Sequence, residues 1–211
     1  MSRDRWATFD CYGTLIDWNG GISRELARVF GQDRADKLLR RYHELEPELE
    51  ADGSRSYREV LTEAMRRLGA PPDEEDALAR SLPDWEPFPE VPDALREARN
   101  QGWKLAILSN TDRDYLEASL GRIGVPFDET VVASEIGSYK PDLGHWRVFE
   151  ERAGRPPDVH VAASLSHDIA PANELGLRSI WINRLSESPE PKPTRELPDL
   201  GRLAETLAEL A

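Results

Sequence analysis

Five short apolar runs punctuate the chain: Trp6 to Asp10, Lys104 to Ser109 ("KLAILS"), Thr130 to Ser134 ("TVVAS"), Val159 to Ala163 ("VHVAA") and Ser179 to Asn183 ("SIWIN"). Each is apolar at consecutive positions rather than at alternate ones, the pattern of a strand buried on both faces. The segments between the later runs carry apolar residues at helical spacing. "VPDALREARNQGW" has proline in its first turn and glycine at its end, and "RDYLEASLGRIGV" and "PDLGHWRVFEERAG" behave similarly. Strands joined by helices predict an α/β fold with a mostly parallel sheet and helices on both faces.

The interval between the first two runs is too long for one crossover helix. It contains four helix-like segments punctuated by Gly or Pro: "GGISRELARVFG", "DRADKLLRRYHELEPELEADG", "SYREVLTEAMRRLGA" and "PDEEDALARSL". Residues 17–89 therefore read as an inserted helical module, and residues 1–16 with 90–211 as the sheet domain. Proline-rich "DWEPFPEVPD" returns the chain to the sheet, and "SESPEPKPTRELPD" reads as an extended surface loop before a short terminal helix.

Composition narrows the function classes. Acidic residues outnumber basic ones by 40 to 27 in 211 residues, a net charge of -13, which argues against a nucleic-acid or anionic membrane surface. A small anionic substrate then needs a local positive pocket. The single cysteine, Cys11, allows no internal disulfide and no multi-cysteine metal site. No apolar run approaches a membrane span, and "MSRDRW" lacks the hydrophobic stretch of a signal peptide, so a reducing cytoplasm is the expected location.

Ligands of open α/β sheets bind beyond the carboxyl ends of the strands. The polar residues there are Asp10 with Tyr12 and Thr14, Ser109 with Asn110, Lys140 a little past the third run, and Ser164 with Asp168 after the fourth. His167 reads as structural, and Cys11 as a small packing residue with no base to activate it.

Taken in order, "FDCYGTLID", "LSN", "YKP" and "SLSHDIAPANELGL", with a helical insertion after the first, resemble the four motifs of the haloacid dehalogenase superfamily. The resemblance implies a Rossmann-like core with an inserted helical cap. It makes Asp10 the nucleophile, Thr14 and Ser109 binders of the substrate's anionic group, Lys140 the group that orients and neutralises the nucleophile, and Asp168 the last motif's acid and the candidate activator of water. Aligning Leu45-Glu46 with the similar stretch of the dehalogenases puts Arg41 at their cap arginine, with Arg40 as the neighbouring alternative. Tyr12, Trp18 and Trp146 are expected to wall the pocket, and Asn110 and Ser164 to contact substrate.

The departures from the motifs select a branch. Tyr12 stands where the superfamily's phosphatases usually carry a second aspartate, and Ala163 where they usually carry a magnesium ligand. Asp10 and Asp168 alone, beside Lys140, are a poor cradle for an ion that prefers octahedral oxygen coordination. "DCYGT" resembles instead the L-2-haloacid dehalogenase branch, which works without a metal or other cofactor. Trp146 and Leu165 depart from that branch in turn, at positions where tyrosine and asparagine are common. The expectation is a hydrolase that displaces halide from a small 2-halo carboxylate through an ester on Asp10, with a homodimer as a further implication of the resemblance. The alternatives are a magnesium-dependent phosphatase and a catalytically weak anion-binding relative.

Overall fold

The structure, a computed structural model, describes residues 4–51 and 53–210. Its centre is a six-stranded, all-parallel sheet in the order β3-β2-β1-β4-β5-β6. The strands are β1 (Arg5–Phe9), β2 (Trp103–Ser109), β3 (Glu129–Val132), β4 (Val159–Ala162), β5 (Arg178–Ile182) and β6 (Arg195–Leu197). Helices α1 (Trp18–Phe30), α2 (Gln32–Glu50), α3 (Tyr57–Leu68) and α4 (Ala77–Ser81) lie between β1 and β2. The remainder are α5 (Val91–Asn100), α6 (Arg113–Ile123), α7 (Ala133–Ile136), α8 (Gly144–Ala153), α9 (Ala170–Glu174) and α10 (Leu203–Glu209), with one π-helical turn at Leu165–Ile169.

The five expected strands are present, with ends shifted by a residue or two. β3 stops at Val132 because the chain coils at once into α7, and a sixth strand, β6, lies inside the segment read as a loop. Only Leu197 of β6 is buried, so its three residues carry almost no apolar signal.

Alternation along the strands explains the two covered faces. Leu105 and Ile107 of β2 join the main apolar cluster, while Ala106 and Leu108 join a smaller one with Trp6, Trp146 and Phe149. The main cluster runs on without a break into the inserted helices through Ile22, Leu26, Tyr42, Leu45 and Leu61. A polar clamp adds to this joint. Asp112, after β2, accepts the backbone N–H groups of Tyr57 (3.0 Å) and Arg58 (2.9 Å) at the start of α3. A carboxylate suits a helix N-terminus because the first N–H groups have no partner within the helix.

Strand order reverses at β1 and β4, so their carboxyl ends open a crevice. Asp10 and Asp168 stand at its floor, and the inserted helices lie above it.

Candidate active site

Asp10 follows β1 and makes the last rung of the ladder, its N–H donating to Val161 O at 3.0 Å. The chain then leaves the sheet in a tight loop: Leu15 and Ile16 N–H both donate to Cys11 O, and Gly13 adopts φ +86°. That left-handed conformation is open to glycine at little cost, which is why the aspartate is followed so closely by Gly13. The turn brings Thr14 back against Asp10. Its hydroxyl donates to Asp10 Oδ2 (2.7 Å) and accepts the N–H of Ala163 (2.9 Å).

Lys140 completes the centre. Its Nζ donates to Asp10 Oδ1 (2.9 Å), Asp168 Oδ1 (2.6 Å) and Leu108 O (2.9 Å). The lysine backbone is clamped by Asn110, whose Oδ1 accepts the Lys140 N–H (2.6 Å) while its Nδ2 donates to Lys140 O (3.0 Å). Asp168 Oδ1 also meets His160 Nε2 at 2.9 Å, and His160 Nδ1 meets Thr8 Oγ1 at 2.9 Å. A buried chain thus runs Thr8, His160, Asp168, Lys140, Asp10, Thr14.

The electrostatics differ sharply between the two aspartates. Burial opposes ionisation of Asp168, yet the Lys140 charge and the His160 and Lys140 hydrogen bonds hold its carboxyl well below the usual range. For Asp10, burial prevails and raises the pKa, although Lys140 and Thr14 pull it down. Burial also works against the charge of Lys140, but its two carboxylates hold its pKa above the ordinary value.

A cleft of about 290 Å³ opens over this centre. Its core side is formed by Asp10, Tyr12, Ser109, Asn110, Lys140, Ser164, Ser166, His167 and Asp168. The side toward the inserted helices is formed by Trp18 of α1, Tyr57 of α3 and His43, Glu46, Pro47 and Glu50 of α2. His43 stacks on Trp18 with ring centres 5.1 Å apart. Glu46 Oε1 accepts the hydroxyls of Tyr42 (2.9 Å) and Tyr57 (2.8 Å), and Glu50 Oε2 accepts from Asn110 Nδ2 (3.2 Å). Burial pushes Glu46 up to about 7 against the tyrosine hydrogen bonds, and burial together with repulsion from Glu46 pushes Glu50 up to about 9.

Asp10, Tyr12, Ser109, Asn110, Lys140, Ser164 and Asp168 therefore share one cleft. Thr14 is wholly buried beneath it and spends its only hydroxyl hydrogen on Asp10, so it orients the carboxylate instead of reaching a ligand. Tyr12 turns its hydroxyl away to Ser119 (3.0 Å) and leaves its ring to the cleft. Trp146 is not in the cleft: it packs edge-on against His160 in the smaller cluster, one layer behind. Arg41 is not there either. It pairs with Glu44 at 2.6 Å on the outer surface, with 54% of its side chain exposed, and Arg40 is exposed as well. The stripe of α2 that reaches the cleft, His43 to Glu50, begins beyond both arginines.

Four residues of consequence escape a reading of the sequence. Glu46 and Glu50 look like the solvated face of a charged helix, and His160 like packing. Its one signal is that it is the only side chain in "VHVAA" able to ionise. His167 lines the cleft, with Nδ1 at 3.2 Å from Ser164 Oγ, and burial lowers its pKa so that the ring is neutral at pH 7.

The magnesium ion that the phosphatase alternative would require does not fit these donors. Oδ1 of each aspartate is taken by the Lys140 ammonium and Asp10 Oδ2 by Thr14, while Ala163 has no donor and the Tyr12 hydroxyl is engaged elsewhere. Among the described residues no group of three His, Cys, Asp or Glu side chains is placed to hold a metal ion. None of the described helices is long and apolar enough to cross a membrane.

Comparison with known proteins identifies the family and the fold. The haloacid dehalogenase-like hydrolase family matches residues 5–176. The (S)-2-haloacid dehalogenase 4A of Burkholderia cepacia is 27% identical over 198 residues, 88% of this chain and 86% of that protein. The (S)-2-haloacid dehalogenase of Pseudomonas sp. (strain YL) is 29% identical over 204 residues, 87% and 84% of the two chains. The fold matches that of the L-2-haloacid dehalogenase from Xanthobacter autotrophicus with a TM-score of 0.83 at 22% identity, over 99% of this chain and 100% of that one.

Proposed function

We propose, for a chain that belongs to the haloacid dehalogenase-like hydrolase family, that it displaces halide from a small 2-halo carboxylate through an ester on Asp10, with residues 17–89 acting as a cap over a core of residues 1–16 and 90–211. The observation that carries the reading is the setting of Asp10: a nearly sealed carboxylate facing a small cleft, oriented by Thr14 and paired with a lysine that Asp168 holds in place. The family relatives described above support the same chemistry.

In the first step an Asp10 carboxylate oxygen attacks C2 of the substrate, the carbon–halogen bond breaks, and the halide leaves with the bonding pair. No proton is needed by the leaving group, which suits a site with Tyr12 in place of a second aspartate. In the second step water attacks Cγ of Asp10. Asp168 is a weak base in its clamp of Lys140 and His160, so its part is to fix the lysine. The neutral His167 ring takes the proton of the water. The Cγ–O bond to the substrate then breaks, the alkoxide takes the proton of the newly formed carboxyl, and the proton on His167 passes to solvent. The products are a 2-hydroxy acid, halide and Asp10 restored. A reducing cytoplasmic setting suits the one buried thiol, Cys11.

Halide release from 2-chloropropionate, measured beside a panel of phosphate esters with and without a chelator, tests the reading. Dehalogenation that survives chelation is expected. Turnover confined to phosphate esters and dependent on magnesium would replace it with the phosphatase.

A further inference from the structure

A carboxylate entering this cleft needs donors, and the fixed cations supply none. An ammonium has three hydrogens, and Lys140 commits all of them to Asp10, Asp168 and Leu108 O. Both amide hydrogens of Asn110 are used, on Lys140 O and Glu50, and the hydroxyls of Tyr42 and Tyr57 are used on Glu46. Among the described residues no arginine forms part of the wall. One buried hydroxyl remains uncommitted on the core side. Ser109 is 1% exposed, lines the cleft, and its Oγ has no partner in the protein. A sealed hydroxyl without a partner points to a ligand that supplies one.

Facing it from the cap are Glu46 and Glu50, four residues apart on one stripe of α2. Side chains at that spacing are neighbours on a helix, and two like charges there repel. Glu46 Oε1 is surrounded by two hydroxyl donors and is the better place for a negative charge; Glu50 has only a long bond from the Asn110 amide. Four carboxyls, with Asp10 and Asp168, face a single ammonium. A further negative charge from substrate enters such a cleft only with a compensating proton.

We propose that Glu46 and Glu50 retain one proton between them and that the protonated Glu50 carboxyl, with the Ser109 hydroxyl, donates to the carboxylate of the bound acid, so that the cleft takes up its anionic substrate together with a proton. This rests on the reading of the substrate as a small carboxylate. The groups that set the titration are Tyr42, His43 and Glu46 on α2, Tyr57 on α3, Asp10 and Lys140 at the floor, and Tyr139, Asp142 and His167 around the mouth. Lys140 stays charged, and Tyr42, Tyr57 and Tyr139 stay neutral, because burial raises the pKa of all three hydroxyls. Burial lowers the pKa of His43 and His167, so both rings are neutral above neutral pH, where the pair titrates. The proton that matters therefore sits on the glutamate pair.

The test is calorimetric titration of the intact protein with lactate, a carboxylate with no halogen to displace, from about pH 6 to about pH 10 in buffers of different ionisation heat. Binding should take up a proton, approaching one at the alkaline end, and affinity should fall by up to about tenfold per pH unit as the pair ionises. Glu50→Gln, which keeps a donor that cannot ionise, should bind lactate at alkaline pH with no loss relative to neutral pH, whereas Glu50→Ala should bind at least about tenfold more weakly at neutral pH. Absence of lactate binding, binding without proton uptake and with pH-independent affinity, or a Gln variant as weak as the Ala variant would overturn the proposal. Tighter binding of propylamine than of lactate would overturn it in favour of a cation site. Halide release without proton-coupled lactate binding would remove this inference alone; proton-coupled binding without halide release would remove the dehalogenase reading alone.

Discussion

Lys140 Nζ lies 2.6 Å from Asp168 Oδ1, and both side chains are 1% exposed. A bond so sheltered from water fixes the ammonium, and through it the Asp10 carboxylate 2.9 Å away. The arrangement gives orientation more than stability, because desolvating buried charges offsets most of their attraction. Removing one partner is a different matter, since the other charges stay buried.

Lys140→Met should show this directly. It leaves Asp10 and Asp168 facing each other without a counter-charge, so a loss of about 3–5 kcal/mol in stability is expected from denaturant melts at neutral pH. Halide release should fall by at least about a hundredfold, the scale of one lost electrostatic donor. Part of the stability should return on acidification, as one aspartate takes up a proton; an unchanged melting midpoint at neutral pH would contradict the geometry.

The route of oxygen tests the nucleophile. In a single turnover in oxygen-18 water the first hydroxy acid should carry no label, because its new oxygen comes from Asp10, and later turnovers should carry it. Full labelling of the first product would mean that water attacks substrate directly. Asp10→Asn should abolish steady turnover.

Much of this site was legible in the chain because strand ends are local features. Asp10, Ser109, Lys140 and Asp168 follow short apolar runs, and a parallel sheet brings such positions together whatever the connections do. The side of the cleft formed by the inserted helices was not legible. Which stripe of α2 faces inward is decided by the packing of Tyr42, Leu45 and Leu49 beneath it, and a helix turns about 100 degrees per residue, so an alignment across a gap cannot place one arginine. The same packing turns Glu46 and Glu50, polar residues of an exposed-looking helix, into the cleft. Asn110 illustrates another limit: an amide at a strand end reads as a substrate contact, yet it chiefly holds the backbone of Lys140.

The arginines provide a sharp contrast with the glutamates. Arg41 is bound to Glu44 in solvent, and surface pairs of that kind contribute about 0–1 kcal/mol. Arg40→Ala and Arg41→Ala should each keep halide release within about threefold of the wild-type rate, with unfolding midpoints little changed. A hundredfold loss on removing Arg41 alone would require α2 to turn over the cleft on binding.

His167 and Asp168 should separate by step. If His167 takes the proton of water, His167→Gln should form the Asp10 ester at close to the normal rate and hydrolyse it at least about a hundredfold more slowly, the usual scale of general-base assistance. Quenched-flow mass spectrometry would then find the ester accumulated on Asp10. Asp168→Asn should slow ester formation instead, because the lysine that orients Asp10 loses its anchor. Accumulation of ester in the Asp168 variant only would return the base to Asp168.

The buried glutamate also makes stability depend on pH, with a definite sign. Burial raises Glu50 from its ordinary value of 4.5 to about 9, so the folded protein holds this proton more tightly than the unfolded chain does. Its favourable contribution is complete below about pH 4.5 and is lost as the pH rises toward and through about 9, where a charge must either appear in the cleft or unfold it. Glu50→Gln removes the titrating group while keeping its shape. The variant and the wild type should therefore melt at similar temperatures near about pH 5 and diverge above neutrality, the variant being more stable by at least about 4 °C at the alkaline end. Thermal melts of both proteins over this range measure the difference. A gap that stays constant with pH would mean that Glu50 ionises as easily in the folded protein as in the unfolded chain.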